Sequence, residues 1–411
     1  MTSQDGLQIG TERSAYDHGP QHSDALLTEV GRGSPCGELM RRYWQPVLSS
    51  KNVTARPQQV RILGEDLIAF RDKSGRPGLL YPHCMHRGTS LFWGRVEEDG
   101  IRCCYHGWKF DVEGHCLDQP CEPLGGIAKA NVRQPWYPVR EHYGLLWAYM
   151  GPINRIPTLP RFDCMEPLAD DEEYWISDNS LSAHTDPNGP AILPYSWLHM
   201  NDNAMDPFHV QVLHATFSVT QFVPEFAIMP KVKFGELPYG TTVSSSRELA
   251  DGRTVDMIVT WVAPNIFSVP SLVMTPGHSD RLTIIVPVDD THCRTLITYR
   301  MKKGLTGVMA GTAFENFKPW SELSIEERQD APGDYEAQSG QGPVALHSEE
   351  HLVTSDRGIG LQRRILKREI ERVAHGHDPV GLDFSHPGSL VHIPSGHFFK
   401  DGDVAVAGVD N

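Results

Sequence analysis

Between about residues 45 and 155, apolar positions alternate with polar ones at a period of two, the spacing of a half-buried strand. Gln59-Val60-Arg61-Ile62-Leu63 alternates, Gly64-Glu65-Asp66 makes a turn, and Leu67-Ile68-Ala69-Phe70-Arg71 follows. Asp72–Gly78 is a second turn before Leu79-Leu80-Tyr81. Further short strands are predicted at Ile101–Cys104, Lys109–Val112 and Gly144–Met150, the last ended by Gly151-Pro152. Many short strands with Gly/Pro turns predict a small β-barrel or sandwich. Upstream, the first thirty or so residues, with His18, Gly19, Pro20 and His22, show no hydrophobic period and are expected to form an arm. Ser34-Pro35 offers an N-cap and a proline at the first helical position, predicting a short helix through Glu38, Leu39, Met40 and Arg42 that stops before Pro46.

From about residue 156 the pattern mixes. Strands are predicted at Tyr174–Ile176, Val255–Val262, Ile266–Val269, Leu282–Val288 and Thr295–Tyr299, and helices around 207–214, 321–329 and 360–375. The last helix puts Leu361, Ile365, Leu366, Ile370 and Val373 on one face and ends at Gly376. This is an α+β layout, with an antiparallel sheet flanked by helices. The chain thus divides into residues 1–44 (arm and short helix, packing on the last unit), an all-β unit over 45–155, and a second unit over 156–411.

Composition narrows the function. Lys+Arg minus Asp+Glu is 37 − 52 = −15, with no basic block, which argues against nucleic acid or an anionic membrane as partner. No run of about 18 uncharged apolar residues exists to span a bilayer. The polar, acidic first twenty residues predict no secretory signal, so a cytoplasmic location is expected. Eight cysteines in 411 residues are too sparse for a disulfide scaffold and read as free thiols or ligands.

The first chemical cluster is Cys84-Met85-His86-Arg87-Gly88 with Cys103-Cys104-Tyr105-His106-Gly107-Trp108. Two cysteines and two histidines at C-x-H and C-x-x-H spacing suit tetrahedral zinc, or a [2Fe–2S] cluster with cysteines on one iron and histidines on the other. Gly88 and Gly107 follow the histidines where backbone amides would approach inorganic sulfur, and Pro120 and Pro123 lie in a loop that could cover the site. His83–Gly88 with Cys103–Phe110 resembles the Rieske domain of the Rieske non-haem iron oxygenases. The resemblance assigns Cys84, His86, Cys103 and His106 as cluster ligands, with Cys104 a neighbour of Cys103. Cys36, Cys116, Cys121, Cys164 and Cys293 are expected to be ordinary thiols, and Cys116/Cys121 lacks the histidines of a second metal site.

The second cluster is Asp202–His214. Asp206-Pro207 is a helix start, and His209 and His214 follow five residues apart, about 140° around an ideal helix. Both reach one ion only if it sits between the faces or the helix distorts; otherwise this is a capped helix with two polar histidines. The pattern D-x-x-x-D-x-x-H-x-x-x-x-H is similar to the mononuclear iron motif of the same oxygenases. The resemblance implies a facial triad of His209, His214 and a later carboxylate around Fe(II). Asp334, shortly before Gly342-Pro343-Val344, matches the place of that carboxylate in the phthalate-dioxygenase-type branch; Asp356 and Asp330 are the alternatives. The resemblance gives Asp206 the role of an electron bridge between a cluster histidine of one subunit and an iron-bound histidine of the next, hence a head-to-tail trimer or stacked trimers. Asp202 would support the ligands.

Gly37–Trp44 and Leu63–Leu67 also look like the phthalate-dioxygenase-type branch, many of whose members act on aromatic carboxylates. Lys231, Lys233 and Arg247 are candidate carboxylate partners, and Phe208, Phe217, Phe222 and Phe226 candidate pocket residues, each otherwise surface charge or core. Arg363, Arg364, Lys367, Arg368 and Arg372 offer a basic helix face for an acidic reductase, or merely a solvated one. No dinucleotide fingerprint and no plant-type ferredoxin cysteines occur, so a separate NAD(P)H-dependent reductase is expected. The reading is a helix-grip-like α+β oxygenase carrying a Rieske cluster and mononuclear Fe(II), oxidising an aromatic acid with O₂ by ring cis-dihydroxylation or by hydroxylation with O-demethylation. The rivals are an electron carrier with only the cluster, and an oxygenase of a non-aromatic substrate.

Overall fold

The computed structural model describes residues 21–123, 126–127, 129–177, 192–305, 322–386 and 388–401. His18, Gly19 and Pro20 of the expected arm and the first residue of the helix expected at 321–329 lie outside these ranges. After α1 (Ala25–Thr28) comes α2 (Pro35–Arg41), where Ser34 Oγ accepts from Gly37 N at 3.2 Å, the cap its sequence predicts.

Among the described residues ten strands build the first unit: β1 (Trp44–Ser49), β2 (Gln58–Ile62), β3 (Glu65–Arg71), β4 (Pro77–Leu80), β5 (Arg95–Glu97), β6 (Gly100–Arg102), β7 (Lys109–Phe110), β8 (Cys116–Asp118), β9 (Val139–His142) and β10 (Leu145–Tyr149). They form three small sheets, β1-β10-β9, β2-β3-β4 and β5-β6-β7-β8. Two hairpins turn on two residues with positive φ, Leu63-Gly64 between β2 and β3 and Tyr143-Gly144 between β9 and β10. This is the turn geometry that matches strand twist.

Beyond this unit run β11 (Arg161–Phe162), β12 (Glu172–Ser177), α3 (Trp197–Ala204), α4 (His209–Gln211), β13 (Lys231–Leu237), β14 (Gly240–Glu248), β15 (Thr254–Val262), β16 (Ile266–Ser268), β17 (Gly277–His278), β18 (Arg281–Asp289) and β19 (His292–Lys302). Helices α5 (Ile325–Asp330), α6 (Asp334–Ser339) and α7 (Arg357–Ala374) and strands β20 (Leu390–Val391) and β21 (Gly396–Lys400) complete the described elements. The large sheet is antiparallel in the order β12-β19-β18-β16-β15-β14-β13, with β21 paired to β15 and β17. Helices α3 and α7 pack against it, an α+β architecture of a sheet gripped by helices.

Both hairpin tips of the first unit key into this sheet. Leu63 N and Gly64 N donate to Pro287 O and Val288 O at 2.9 Å, and Thr298 Oγ1 donates to Tyr143 O at 2.8 Å. One apolar core runs from α1 and α2 through β10 to β18 and α7, so the two units share an interior. A second, smaller core of Ile68, Phe70, Leu91, Ile101 and Phe110 underlies Cys84 and Cys103.

Candidate metal centres

The first centre sits on two loops of the same build. After β4, Cys84 N donates to Thr89 O at 2.9 Å and Gly88 N to Cys84 O at 2.8 Å. After β6, Cys103 N donates to Trp108 O at 2.8 Å and Gly107 N to Cys103 O at 3.1 Å. Gly107 has φ +73, and a Cβ there would lie 2.6 Å from Pro120 Cγ, so the predicted proline does close over the loop. The loops bring His86 and His106 edge to face at 4.5 Å between ring centroids, with His86 stacked on Trp108 at 4.5 Å. Cys84 and Cys103 are buried and Cys104 is exposed, so the side chains divide Cys103 inward and Cys104 outward.

This donor set fits an iron–sulfur cluster. Burial pushes the Cys84 thiol up to about 12, with Cys103 adding to the shift and backbone amides opposing it, so this thiol needs a cation to ionise. His86 Nδ1 is buried without a hydrogen-bond partner, an atom poised for a ligand. Cys116 is buried and Cys121 exposed, both as free thiols.

The second centre solves the five-residue spacing by distorting the helix. Asp206 Oδ1 accepts from Phe208 N at 2.8 Å, the expected cap, but regular helix begins only at His209 and lasts one turn. Val212–Thr216 then widen into a π turn, with Phe217 N donating to Val212 O at 2.8 Å. That extra residue per turn swings His214 toward the face of His209, and the rings approach to 5.3 Å. The helix expected over 207–214 is therefore corrected to a short α turn running into a π turn.

Asp334 opens α6 and is buried. Its Oδ1 lies 3.3 Å from His214 Nε2 and 3.7 Å from His209 Nε2, and the three groups can place ligand atoms within 4.8 Å of one another. The other ring nitrogens are held away: His209 Nδ1 by Asp206 O at 2.5 Å, His214 Nδ1 by Gln221 Oε1 at 2.8 Å. Both Nε2 atoms thus face Asp334 Oδ1, an arrangement that fits the facial triad. Burial lowers the His209 pKa against the pull of Asp334 and Asp206. At His214 burial acts the same way but is outweighed by Asp334 and Gln221, and its pKa rises. Asn203 Nδ2 donates to Asp334 Oδ1 at 3.1 Å, and Gln221 Nε2 donates to Pro332 O at 2.9 Å, two supports that local spacing does not reveal. Asp330 is exposed, and Asp356 uses its carboxylate to accept from Val353 N at 2.7 Å; neither joins this group.

A cavity opens from the triad onto the sheet. Its wall follows strand alternation: Val243, Ser245 and Arg247 on β14 face Val259 and Met257 on β15, and Arg281 and Thr283 on β18 face Tyr299 and Ile297 on β19. Arg247 is 2 % exposed, lies over the Phe226 ring at 5.2 Å, and donates from Nε to Ile228 O at 3.1 Å. Among the described residues its Nη1 has no partner and no carboxylate pairs with it, and burial pulls its pKa down to about 10.

Lys231 and Lys233 do not reach this wall. They pair with Ser246 and Ser244, which point to the opposite face from Ser245 and Arg247, and both lysines are exposed. Phe222 lines the cavity, Phe226 lies beneath Arg247, Phe217 is exposed, and Phe208 is not part of the wall. On the basic face of α7, Arg363 is largely buried between Asp202 and Glu350, whereas Lys367, Arg368 and Arg372 are about half exposed and pair with Asp24, Glu236 and Glu369, and Arg364 is exposed.

Comparison with known proteins agrees with this geometry. Residues 43–132 match the Rieske [2Fe-2S] domain. The chain is 50 % identical over 397 residues to phenoxybenzoate dioxygenase subunit alpha of Ectopseudomonas oleovorans, covering 97 % of each. It is 34 % identical to the tert-butanol monooxygenase / tert-amyl alcohol desaturase oxygenase subunit of Aquincola tertiaricarbonis, over 90 % of this chain and 80 % of that one. The structure of dicamba monooxygenase bound to dicamba superposes with a TM-score of 0.59 at 16 % identity, over 82 % of this chain and 99 % of the other, and so shares its fold. The chain belongs to the Rieske non-haem iron oxygenases, as an oxygenase subunit with a [2Fe–2S] cluster and mononuclear iron.

Proposed function

We propose that this oxygenase oxidises an aromatic carboxylate, and that Arg247 reads the carboxylate while His209, His214 and Asp334 hold the iron. Cys84, His86, Cys103 and His106 would hold the [2Fe–2S] cluster, which when bound would supply one-electron transfer, and the triad would hold the Fe(II) that would supply O₂ chemistry. The observation that carries the substrate class is Arg247. A buried guanidinium with no counter-ion is unfavourable by several kcal/mol unless a ligand provides one. A substrate carboxylate entering an apolar cavity supplies it and orients the ring toward the triad. A tertiary alcohol, the substrate in the Aquincola relative's name, leaves Arg247 unpaired.

On the likeness to a phenoxybenzoate dioxygenase we assign ring dioxygenation. Both atoms of O₂ enter the ring, two electrons and two protons are consumed, and a separate NAD(P)H-dependent reductase delivers the electrons. O-Demethylation is told apart by release of formaldehyde. Asp206 is assigned the intersubunit bridge: one oxygen caps the helix, and the other lies 3.7 Å from His209 Nδ1. The half-buried His86 and His106 sit beside exposed Met85 and Tyr105, an apolar edge suited to a neighbouring subunit of a trimer. None of the described helices is long and apolar enough to cross a membrane, and we place the enzyme in the cytoplasm.

The test compares phenoxybenzoate with uncharged diphenyl ether in Arg247→Met and Arg247→Lys. Losing a charge-assisted hydrogen bond of about 1.5–3 kcal/mol raises KM for the acid roughly 10- to 150-fold in Arg247→Met, with partial rescue in Arg247→Lys. KM for the ether stays near the wild-type value. Equal effects on both compounds contradict the assignment.

A further inference from the structure

Helix α7 is fastened to the segment that carries the iron ligands through three successive contacts. A Cβ at Gly358 would stand 2.5 Å from Met205 O, so only glycine lets the helix lie this close. One turn on, the Gln362 amide, oriented to satisfy its neighbours, donates to Asn201 O at 3.1 Å. Next to it the Arg363 fork grips two acids. Nε and Nη2 donate to Asp202 Oδ2 at 3.2 and 2.5 Å, and Nη1 and Nη2 donate to Glu350 Oε2 and Oε1 at 2.5 and 2.8 Å. Arg363, Asp202 and Glu350 are 13, 14 and 24 % exposed, so the network is largely dry.

Its place in the chain gives it a lever on the metal. Asp202 precedes Asn203, whose amide holds Asp334 Oδ1, and Asp206 and His209 follow within two turns. Buried ion networks stabilise a fold no better than apolar side chains of the same shape, but the planar guanidinium fixes direction and register as apolar contacts do not. We propose that Arg363 is a positioning residue for the mononuclear site. Held between Asp202 and Glu350, it fixes the end of α3 so that Asn203 presents Asp334 to His209 and His214. This inference rests on those three residues being the iron ligands.

Two variants of the full-length protein test it: Arg363→Lys, which keeps the charge but loses the fork, and the neutral triple Asp202→Asn, Glu350→Gln, Arg363→Met, which removes the ions while keeping the volume. Glu65→Gln breaks a comparable buried pair with Arg41, at 2.8 Å, away from the site, and serves as the control. Three quantities are measured: the thermal midpoint, the EPR spectrum of the reduced cluster, and Fe(II) affinity with the EPR line shape of the nitric oxide adduct at the mononuclear site. The expected result is a wild-type cluster spectrum in every variant. Iron affinity falls about tenfold, the lower end for lost outer-shell partners, with an altered adduct line shape in both Arg363 variants and not in Glu65→Gln. Wild-type affinity and line shape in the variants overturn the proposal. So does an iron loss that merely tracks the thermal midpoint and is matched by Glu65→Gln. If His209→Ala binds iron and forms the adduct like the wild type, the ligand assignment itself fails, and the inference with it.

Discussion

Four histidines among the described residues, three buried and His209 partly so, meet two fates. His209 and His214 turn a ring nitrogen to Asp334 and are fixed by oxygen acceptors on the other, so their environment is built for an ion. His199 and His397 are buried without acids of that kind, and burial, partly opposed by a backbone contact in each case, pushes both down to about 4 from 6.5. A folded-state pKa below the unfolded one means that the unfolded chain binds more protons between these values. The stability is therefore fully present above about pH 6.5 and is lost as pH falls through about 4, by on the order of 3 kcal/mol for each histidine. Urea midpoints from pH 7.5 down to 4.5 are expected to fall along this window, and a His397→Gln, His199→Gln double variant to flatten the slope. An unchanged slope refutes the account of these two side chains. At this scale the local motifs were legible, because Cys84/His86, Cys103/His106 and His209/His214 are each neighbours along the chain. Asp334 lies 120 residues beyond His214 and was reached through resemblance alone. Asn203 and Gln221 passed unnoticed because an amide carries no signature of what it will hold.

Among the elements, the π turn and the close approach of α7 decide the site. An ideal helix would set His209 and His214 about 140° apart, and widening one turn brings them together. The spacing announced that some distortion was needed; which distortion depends on packing around Phe222 and Gln221 that no local pattern encodes. Strand alternation was similarly half legible. Arg247 and Lys233 both sit on strands, but pairing register alone tells that Lys233 faces away from the cavity. The face of α7 read from its period is the one it buries, with Ile365, Leu366, Ile370 and Val373 inside, and Gly376 closes it with φ +80. The acid partners of its cations, Asp24, Asp202, Glu236 and Glu350, come from elsewhere in the sequence, so the ion pairs themselves were not legible. Gly358→Ala puts a methyl group 2.5 Å from Met205 O, against backbone that cannot yield as a flexible side chain would. The expected loss is about 1–3 kcal/mol in chemical denaturation. A neutral effect would show that α7 is not tightly seated there.

At the scale of the whole molecule, the first unit is keyed to the catalytic sheet by its two hairpin tips and a shared core, which fixes where its cluster faces. The first hairpin was visible in the sequence as a turn near Gly64, the second at Tyr143-Gly144 was not, and the docking of both on β18 and β19 is a long-range fact outside any local pattern. His86 and His106 stand beside exposed Met85 and Tyr105, and His209, His214 and Asp334 line a cavity whose wall includes the buried Arg247; on the proposed function the first side receives electrons and the second binds the acid. The central claim is that these two centres act together on an aromatic carboxylate. It is tested most directly by an anaerobic single turnover: the protein is reduced at both centres, freed of reductant, mixed with phenoxybenzoate and then exposed to O₂. The account predicts a dihydroxylated product from the protein alone with loss of the reduced cluster's EPR signal, and neither product nor cluster oxidation on that timescale in His209→Ala. Full iron at both sites with no product from aromatic acids, or product formed equally by His209→Ala, would contradict it.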